Sequence, residues 1–158
     1  MDLTFRVGDK KFNYRVCAII LSGEKILAMH DERSPFFYLP GGRVEMGETA
    51  EHAVIRELWE ELGITAEIVR PLWLNQAFFN EDVDHLDYHE LCIYFLMDIS
   101  KTPLLSRGET FVFHEGKRTH KFEWLEFDRL KEEYFYPTFL KEEIYHLPET
   151  FCIRTEIE

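Results

Sequence analysis

The pattern of apolar and polar residues near the N-terminus predicts a β-hairpin. Residues 12–21 (FNYRVCAIIL) begin with alternation and end in an apolar, β-branched run, which indicates a central strand. Residues 22–24 (SGE) form a turn signal, and residues 25–30 (KILAMH) resume the strand pattern. Residues 31–35 are predicted to form a loop, residues 36–39 a short strand, and residues 40–42 (PGG) a break in regular structure.

A different period follows the glycines and predicts the longest helix. Residues 49–62 contain no proline or glycine and are rich in alanine, glutamate and leucine. Thr49 is a suitable N-cap, and Gly63 directly follows the predicted end. The apolar stripe expected to face the core consists of Ala50, Ala53, Val54, Leu58 and Leu62.

Strand patterns return in the second half of the chain. They cover residues 64–74, 88–99 and 120–127, with a polar loop at residues 80–87. Short amphipathic helices are predicted at residues 127–134 and 137–147. No repeat or linker interrupts the pattern, so residues 1–158 are expected to form one domain of the α/β class, a sandwich with a mixed β-sheet between helices.

Charge and composition narrow the class of protein. The net charge of −12 would repel nucleic-acid backbones, so no nucleic-acid partner is expected. No apolar run approaches the roughly 20 residues of a membrane span, and the first residues lack the apolar stretch of a signal peptide. The three cysteines are scattered without metal-ligand spacing, as in a reducing compartment. A cytoplasmic protein without a membrane partner is therefore expected.

Three glutamates of the predicted helix share one face. Glu60 and Glu61 lie three and four residues beyond Glu57, and like charges at these spacings repel by roughly 0.2–0.5 kcal/mol per pair. Arg56 alone cannot neutralise three acids, whereas a divalent cation can. Hard oxygen ligands favour Mg²⁺ or Mn²⁺. A glutamate-rich helix face on its own is more often solvated surface, and the residues around it decide between the two interpretations.

The same stretch resembles the box of the Nudix hydrolase family, written G-x5-E-x7-R-E-U-x-E-E-x-G-U with U aliphatic. All nine specified positions within residues 42–64 match, namely Gly42, Glu48, Arg56, Glu57, Leu58, Glu60, Glu61, Gly63 and Ile64. A chance match at nine fixed positions is rare. The resemblance implies a Nudix-type α/β/α sandwich in which the box forms a loop, a helix and a second loop.

The resemblance also implies a metal site and a catalytic apparatus. Glu57 and Glu61 would bind Mg²⁺ or Mn²⁺, with Glu60 and the carbonyl of Gly41 as further ligands. Arg56 would orient the box carboxylates together with Glu48. The general base would be Glu60, Glu61 or a glutamate from a later loop, for which Glu109 and Glu115 are the candidates. Candidate substrate-binding residues are Arg15, His30, Arg33 and Gly42.

The expected reaction is hydrolysis of a phosphoanhydride bond. The substrate would be a small nucleotide-like molecule, a nucleoside di- or triphosphate or a nucleoside diphosphate linked to a second moiety, attacked by metal-activated water. Two alternatives stay open: a non-catalytic nucleotide-sensing domain of the same fold, and an interaction protein whose acidic helix is only surface. A homodimer is possible, as among similar proteins.

Overall fold

The computed structural model describes residues 1–81 and 84–158 and contains two β-sheets and one long helix. Short 3-10 helices cover Leu104–Arg107 and Phe127–Lys131. The helices are α1 (Ala50–Leu62) and α2 (Leu140–Glu143). The strands are β1 (Thr4–Val7), β2 (Lys10–Ile19), β3 (Leu21–Ser22), β4 (Lys25–His30), β5 (Gly41–Arg43), β6 (Glu67–Asn80), β7 (Asp87–Asp98), β8 (Thr110–Glu115), β9 (Arg118–Glu126) and β10 (Cys152–Ile157).

The larger sheet is mixed, as predicted. Its strand order is β1-β2-β7-β6-β10, and β5 pairs with β2 beside β1. The β2–β7 and β6–β10 pairs are parallel, whereas β1–β2, β2–β5 and β6–β7 are antiparallel. The second sheet is antiparallel, in the order β3-β4-β9-β8. The predicted α/β sandwich class is confirmed, although two sheets rather than one form its β-layers.

Helix α1 forms as its sequence predicts. The Thr49 side chain accepts a hydrogen bond from the His52 amide at 3.1 Å, which satisfies one of the free amides of the first turn. Gly63 ends the helix in the left-handed conformation, at φ 67°, which glycine adopts without steric cost. The five residues of the predicted apolar stripe are all buried.

The central strand β2 separates two apolar cores because its side chains alternate between the sheet faces. Val16 and Ala18 pack in the same cluster as Leu58 of α1. Cys17 and Ile19 point to the opposite face, which the segment around α2 covers. Burying a leucine side chain such as Leu58 contributes about 2 kcal/mol, so α1 is held to the sheet mainly by its apolar stripe.

Several predicted elements differ in the structure. Only Leu21 and Ser22 pair with β4, whereas β2 joins the other sheet, so the predicted hairpin is wrong in its main partner. Residues 36–39 make only isolated bridges, and the glycines predicted to break regular structure form β5. The predicted terminal helix shortens to the four residues of α2. Strands β1, β8 and β10 were not predicted.

The loop at residues 80–87 can be described only in part, because Asp82 and Val83 lie outside the described residues. Within the described part of the chain, no helix has the length and apolar character required to cross a membrane.

Candidate active site

Arg56 is the centre of a network of carboxylates at the loop before α1. Its Nε and Nη2 donate to the two carboxylate oxygens of Glu48 at 2.7 and 2.9 Å, and Nη2 also donates to the carbonyl of Arg43 at 3.0 Å. Nη1 donates to Glu57 at 3.0 Å and to Glu60 at 3.1 Å. A planar guanidinium with five donors can satisfy this set, whereas a lysine cannot. Arg56 therefore sets the relative position of the loop and the helix.

The buried carboxylate of Glu61 and the partly buried carboxylate of Glu57 lie against the glycines of β5. The Gly41 amide donates to Glu61 Oε1 at 2.8 Å. The carboxylate of Glu57 lies over Gly42 so closely that a Cβ on Gly42 would fall 2.4 Å from Glu57 Cδ. A Cβ on Gly41 would fall 2.1 Å from the carbonyl oxygen of Val16 on β2. Both glycines are thus required sterically, one against the sheet and the other against a box carboxylate.

Burial dominates the electrostatics of this pair. It raises the pKa of Glu57 to about 7, although Arg56 acts in the opposite direction, and the charges of Glu60 and Glu115 add to the increase. Burial also raises the pKa of Glu61 well above its usual range, and the Glu57 and Glu115 carboxylates add to this effect. The raised pKa values thus come first from burial, and the neighbouring carboxylates add to them.

Glu60 is placed differently from the other two helix glutamates. Its side chain is 39% exposed, against 14% for Glu57, and its contact is the ion pair with Arg56. In residues 1–81 and 84–158, no three His, Cys, Asp or Glu side chains are already arranged to hold a metal ion.

The donor set nevertheless fits a hard divalent cation. Glu57 and Glu61 offer carboxylate oxygens beside two glycines that carry no side chain, and the carboxylate of Glu115 acts on both. Mg²⁺ usually takes only one or two carboxylates and completes its shell with water and phosphate oxygens. Gly41 contacts the Glu61 carboxylate through its backbone amide, whereas the group predicted as a metal ligand was its carbonyl.

The structure separates the two later glutamates that the sequence left equivalent. Glu115, at the end of β8, is close enough to influence the pKa of both Glu57 and Glu61. Glu109 lies at the opposite end of this strand, is 67% exposed and pairs with Lys25 at 2.5 Å. Only Glu115 therefore belongs to the carboxylate cluster.

Two residues near Glu115 were not predicted as site residues. His120 is fully buried, and its Nε2 lies 2.8 Å from Glu115 Oε1. Arg118 is the register partner of Glu115 across the β8–β9 hairpin and lies 4.0 Å from Asp31. The sequence pattern that would have predicted their position is a β-hairpin, with a two-residue turn at Gly116 and Lys117 between two alternating segments.

The predicted substrate-binding residues Arg15, His30 and Arg33 differ in their position relative to the box. Arg15 lies on β2, two residues before Cys17, which is the strand partner of Gly41. The charge of Arg15 lowers the pKa of Glu61. No carboxylate of the described residues forms an ion pair with Arg15. His30 instead packs edge-to-face on Phe37, and Arg33 is an exposed loop residue whose amide donates to Asp31. Of these three residues, Arg15 is the one whose charge lowers the pKa of a box carboxylate.

A family profile described as NUDIX domain matches residues 11–145. The chain therefore belongs to the Nudix family, and the resemblance drawn from the box is confirmed. The ADP-ribose pyrophosphatase of Methanocaldococcus jannaschii is 38% identical over 87 residues, which are 53% of this chain and 49% of that protein. The 8-oxo-dGTP diphosphatase of Escherichia coli is 68% identical over 28 residues, 18% of this chain and 22% of that protein. These names agree with the enzyme class predicted from the box.

The matches to these curated relatives span at most about half of the relatives' own length. The similarity extends further in three dimensions. The mutator MutT protein from Bacillus halodurans superimposes with a TM-score of 0.64 at 19% identity, covering 92% of this chain and 89% of that one. At this identity the likeness is one of fold, and the chemistry must be argued from the site.

Proposed function

We propose that the protein hydrolyses a phosphoanhydride bond in a nucleoside di- or triphosphate, or in a nucleoside diphosphate linked to a second moiety, with Mg²⁺ or Mn²⁺ as cofactor. One observation carries the proposal: the buried carboxylate of Glu61 and the partly buried carboxylate of Glu57 converge on the two glycines of β5, Gly41 and Gly42. An ordinary surface helix would leave such carboxylates in solvent. Here Glu61 is buried and Glu57 is partly buried, and both lie near the carboxylate of Glu115, an arrangement that a bound cation would stabilise.

Glu57 and Glu61 would hold the cation, with Glu60 at the exposed side of the cluster. A divalent cation bound there would neutralise phosphate charge and lower the pKa of the attacking water. Arg56 holds Glu57 and Glu60 by two hydrogen bonds from the same nitrogen, while Glu48 anchors its other side. Arg56 and Glu48 thus keep the carboxylates oriented before substrate arrives.

Glu115 is the best-placed residue to accept the proton from the attacking water. It lies at the end of a hairpin beside Glu57 and Glu61, outside the helix that carries them. His120 holds one oxygen of Glu115 and leaves the other for a proton. Glu61 is less suited to this role because it is already proposed as a ligand of the cation, and a carboxylate bound to the cation is a weaker base.

The phosphates of an anionic substrate need local cations, because the net charge of −12 repels it. Arg15 approaches the box from β2, and Arg118 lies opposite Glu115 on the hairpin. The pyrophosphatase and diphosphatase names of the relatives support a nucleotide with at least two phosphates. A cytoplasmic location is part of the proposal, and the three free cysteines support it.

The test is a screen of nucleoside triphosphates, nucleotide sugars and ADP-ribose with Mg²⁺ or Mn²⁺, detecting released phosphate, pyrophosphate or nucleoside monophosphate. We expect turnover that requires the metal. Glu61→Gln should lower kcat by about a hundredfold or more, the scale expected for losing a ligand. Glu51→Gln makes the same chemical change at an exposed position of the same helix and should retain full activity.

Glu115→Gln and Glu109→Gln form a second matched pair on one strand. The general-base role predicts that Glu115→Gln lowers kcat by about two orders of magnitude at an unchanged KM, whereas Glu109→Gln has no effect. Equal activity of wild type and Glu61→Gln would overturn the proposed hydrolase function of this site. Equal activity of the Glu115 and Glu109 variants would overturn only the assignment of the base.

A further inference from the structure

Strand β10 leaves one edge of the larger sheet open. Among the described residues its only strand neighbour is β6, to which it is parallel. The Glu158 amide donates to the carbonyl of Phe78 at 2.9 Å, as expected for the next position of this ladder. In a parallel ladder alternate residues direct their amides and carbonyls to the same neighbour. Ile153, Thr155 and Ile157 therefore direct theirs away from the sheet.

The same three residues also carry the exposed side chains of the strand. Ile153 is 68% exposed and Ile157 is 78% exposed. Ile157 is the register partner of Phe78, itself 36% exposed, so the apolar strip continues onto β6. Monomeric proteins usually protect an edge strand with charges, proline or a bulge, because an open apolar edge pairs with other chains.

The side chains on the other face of β10 are polar and held in place. Arg154 donates to Glu143, and Glu156 accepts a hydrogen bond from the Asn75 amide at 2.6 Å. The strand thus alternates between an apolar face and a charged face, in the order Ile153, Arg154, Thr155, Glu156 and Ile157.

This order is complementary to itself when two copies run antiparallel. With the two-fold axis at Thr155, Ile153 lies opposite Ile157 of the partner subunit, and Arg154 lies opposite Glu156 of the partner subunit. Opposite residues in an antiparallel pair share a face, so apolar meets apolar and each arginine meets a glutamate. The outward amides of Ile153, Thr155 and Ile157 then face outward carbonyls.

Neighbouring registers lose this match. An axis at Arg154 would place the two arginines opposite each other, and an axis at Glu156 would do the same for the glutamates. An axis between two residues would oppose outward-directed backbone groups with inward-directed ones. We propose that β10 pairs antiparallel with β10 of a second copy, centred on Thr155, and joins two sheets into a symmetric homodimer.

This proposal is independent of the catalytic assignment, because no residue of β10 belongs to the box. Residues 153–157 of β10 together carry no net charge, since the charges of Arg154 and Glu156 compensate one another. Repulsion between two chains of net charge −12 is screened over about 8 Å at physiological ionic strength, so the mass should be measured there.

The first test uses Thr155→Pro, with Thr155→Ser as its control. Proline at an outward-facing edge position removes an amide that the monomer does not use and blocks the approach of a second strand. Sedimentation velocity over a range of concentrations should show a dimer for wild type and Thr155→Ser. Thr155→Pro should weaken association at least about tenfold while its far-ultraviolet circular dichroism spectrum stays that of the wild type. A wild type that stays monomeric at high micromolar concentration would overturn the proposal.

The second test addresses the register and does not depend on the proline variant. Arg154→Glu alone would oppose two glutamates across the joint, and Glu156→Arg alone would oppose two arginines. Each variant should be monomeric, whereas their mixture should form a heterodimer because every pair is again complementary. If both variants dimerise as well as wild type, or if their mixture stays monomeric, the proposed register is wrong.

Discussion

The carboxylate of Glu57 occupies the space that a side chain at Gly42 would fill: a Cβ there would lie 2.4 Å from Glu57 Cδ and Oε1 and 2.6 Å from Oε2. The glycine and the glutamate are thus one steric unit of the box. The contact joins β5 to α1 and places a box carboxylate directly over the strand. Positions of a shared motif that look like separate requirements in the sequence are a single packing relationship in the fold.

Gly42→Ala should therefore damage the metal site more than the fold. The added methyl group must displace the Glu57 carboxylate, and a ligand moved by about 1 Å costs roughly tenfold to a hundredfold in metal affinity or activity. Titration of Mn²⁺ by electron paramagnetic resonance would measure the affinity. Gly23→Ala, in the turn between β3 and β4 where a Cβ meets nothing within 4 Å, is the control and should bind Mn²⁺ as wild type does. Unchanged Mn²⁺ affinity of Gly42→Ala would contradict this geometry.

Glu48→Gln should alter the dependence of stability on pH. The hydrogen bonds from Arg56 lower the pKa of Glu48 from 4.5 to about 2, so its stabilisation is present above pH 4.5 and is lost as the pH falls through about 2. The shift corresponds to about 3 kcal/mol. Urea unfolding should show the variant less stable than wild type by up to about this amount at pH 6, with the difference narrowing towards pH 2.

The dependence of the stability difference on pH distinguishes a contribution of charge from one of packing. A difference between wild type and Glu48→Gln that stays constant from pH 6 to pH 2 would show that the carboxylate contributes through packing rather than charge. Glu51→Gln, an exposed position in the first turn of α1, should show no such narrowing.

Arg15→Met should weaken substrate binding, whereas Arg33→Met should not. Arg15 lies beside the box strand, and its pKa rises despite burial because Glu90 and other neighbours favour the charged form. Loss of a charge-assisted hydrogen bond to phosphate costs about 1.5–3 kcal/mol, or about tenfold to a hundredfold in kcat/KM. Steady-state kinetics on the substrate identified by screening would measure both variants. Equal losses for the two would exclude a specific role for Arg15.

Gly63→Ala should destabilise the protein by about 1–3 kcal/mol. Alanine pays for the left-handed conformation at φ 67°, and its Cβ would approach the Phe113 ring to 2.8 Å. Gly23→Ala has a similar φ of 59° and open space, so it isolates the backbone cost. The excess of the first variant over the second in urea unfolding measures the contact with Phe113. No excess would mean that the ring moves aside freely.

The local elements of the fold were predictable where one pattern was strong. Helix α1, its N-cap Thr49 and its end at Gly63 follow from period and capping alone. Strand β10 also alternates, yet its short exposed pattern was not predicted. The partner of β2 was predicted wrongly because adjacency in the chain suggested β4, whereas β7 pairs with β2 from far along the sequence. Pairing of distant strands depends on packing that a local pattern does not contain.

The sequence by itself determined the family through the nine matched positions of the box, and the spacing of three and four residues places Glu57, Glu60 and Glu61 on one helix face whatever surrounds them. The tertiary structure alone decided which other residues join them. Glu115 and Glu109 belong to the same polar stretch, and only the β8–β9 register brings Glu115 with His120 to the box. Burial, and with it the raised pKa values of Glu57 and Glu61, likewise arises only when the sheet and loop close around the helix.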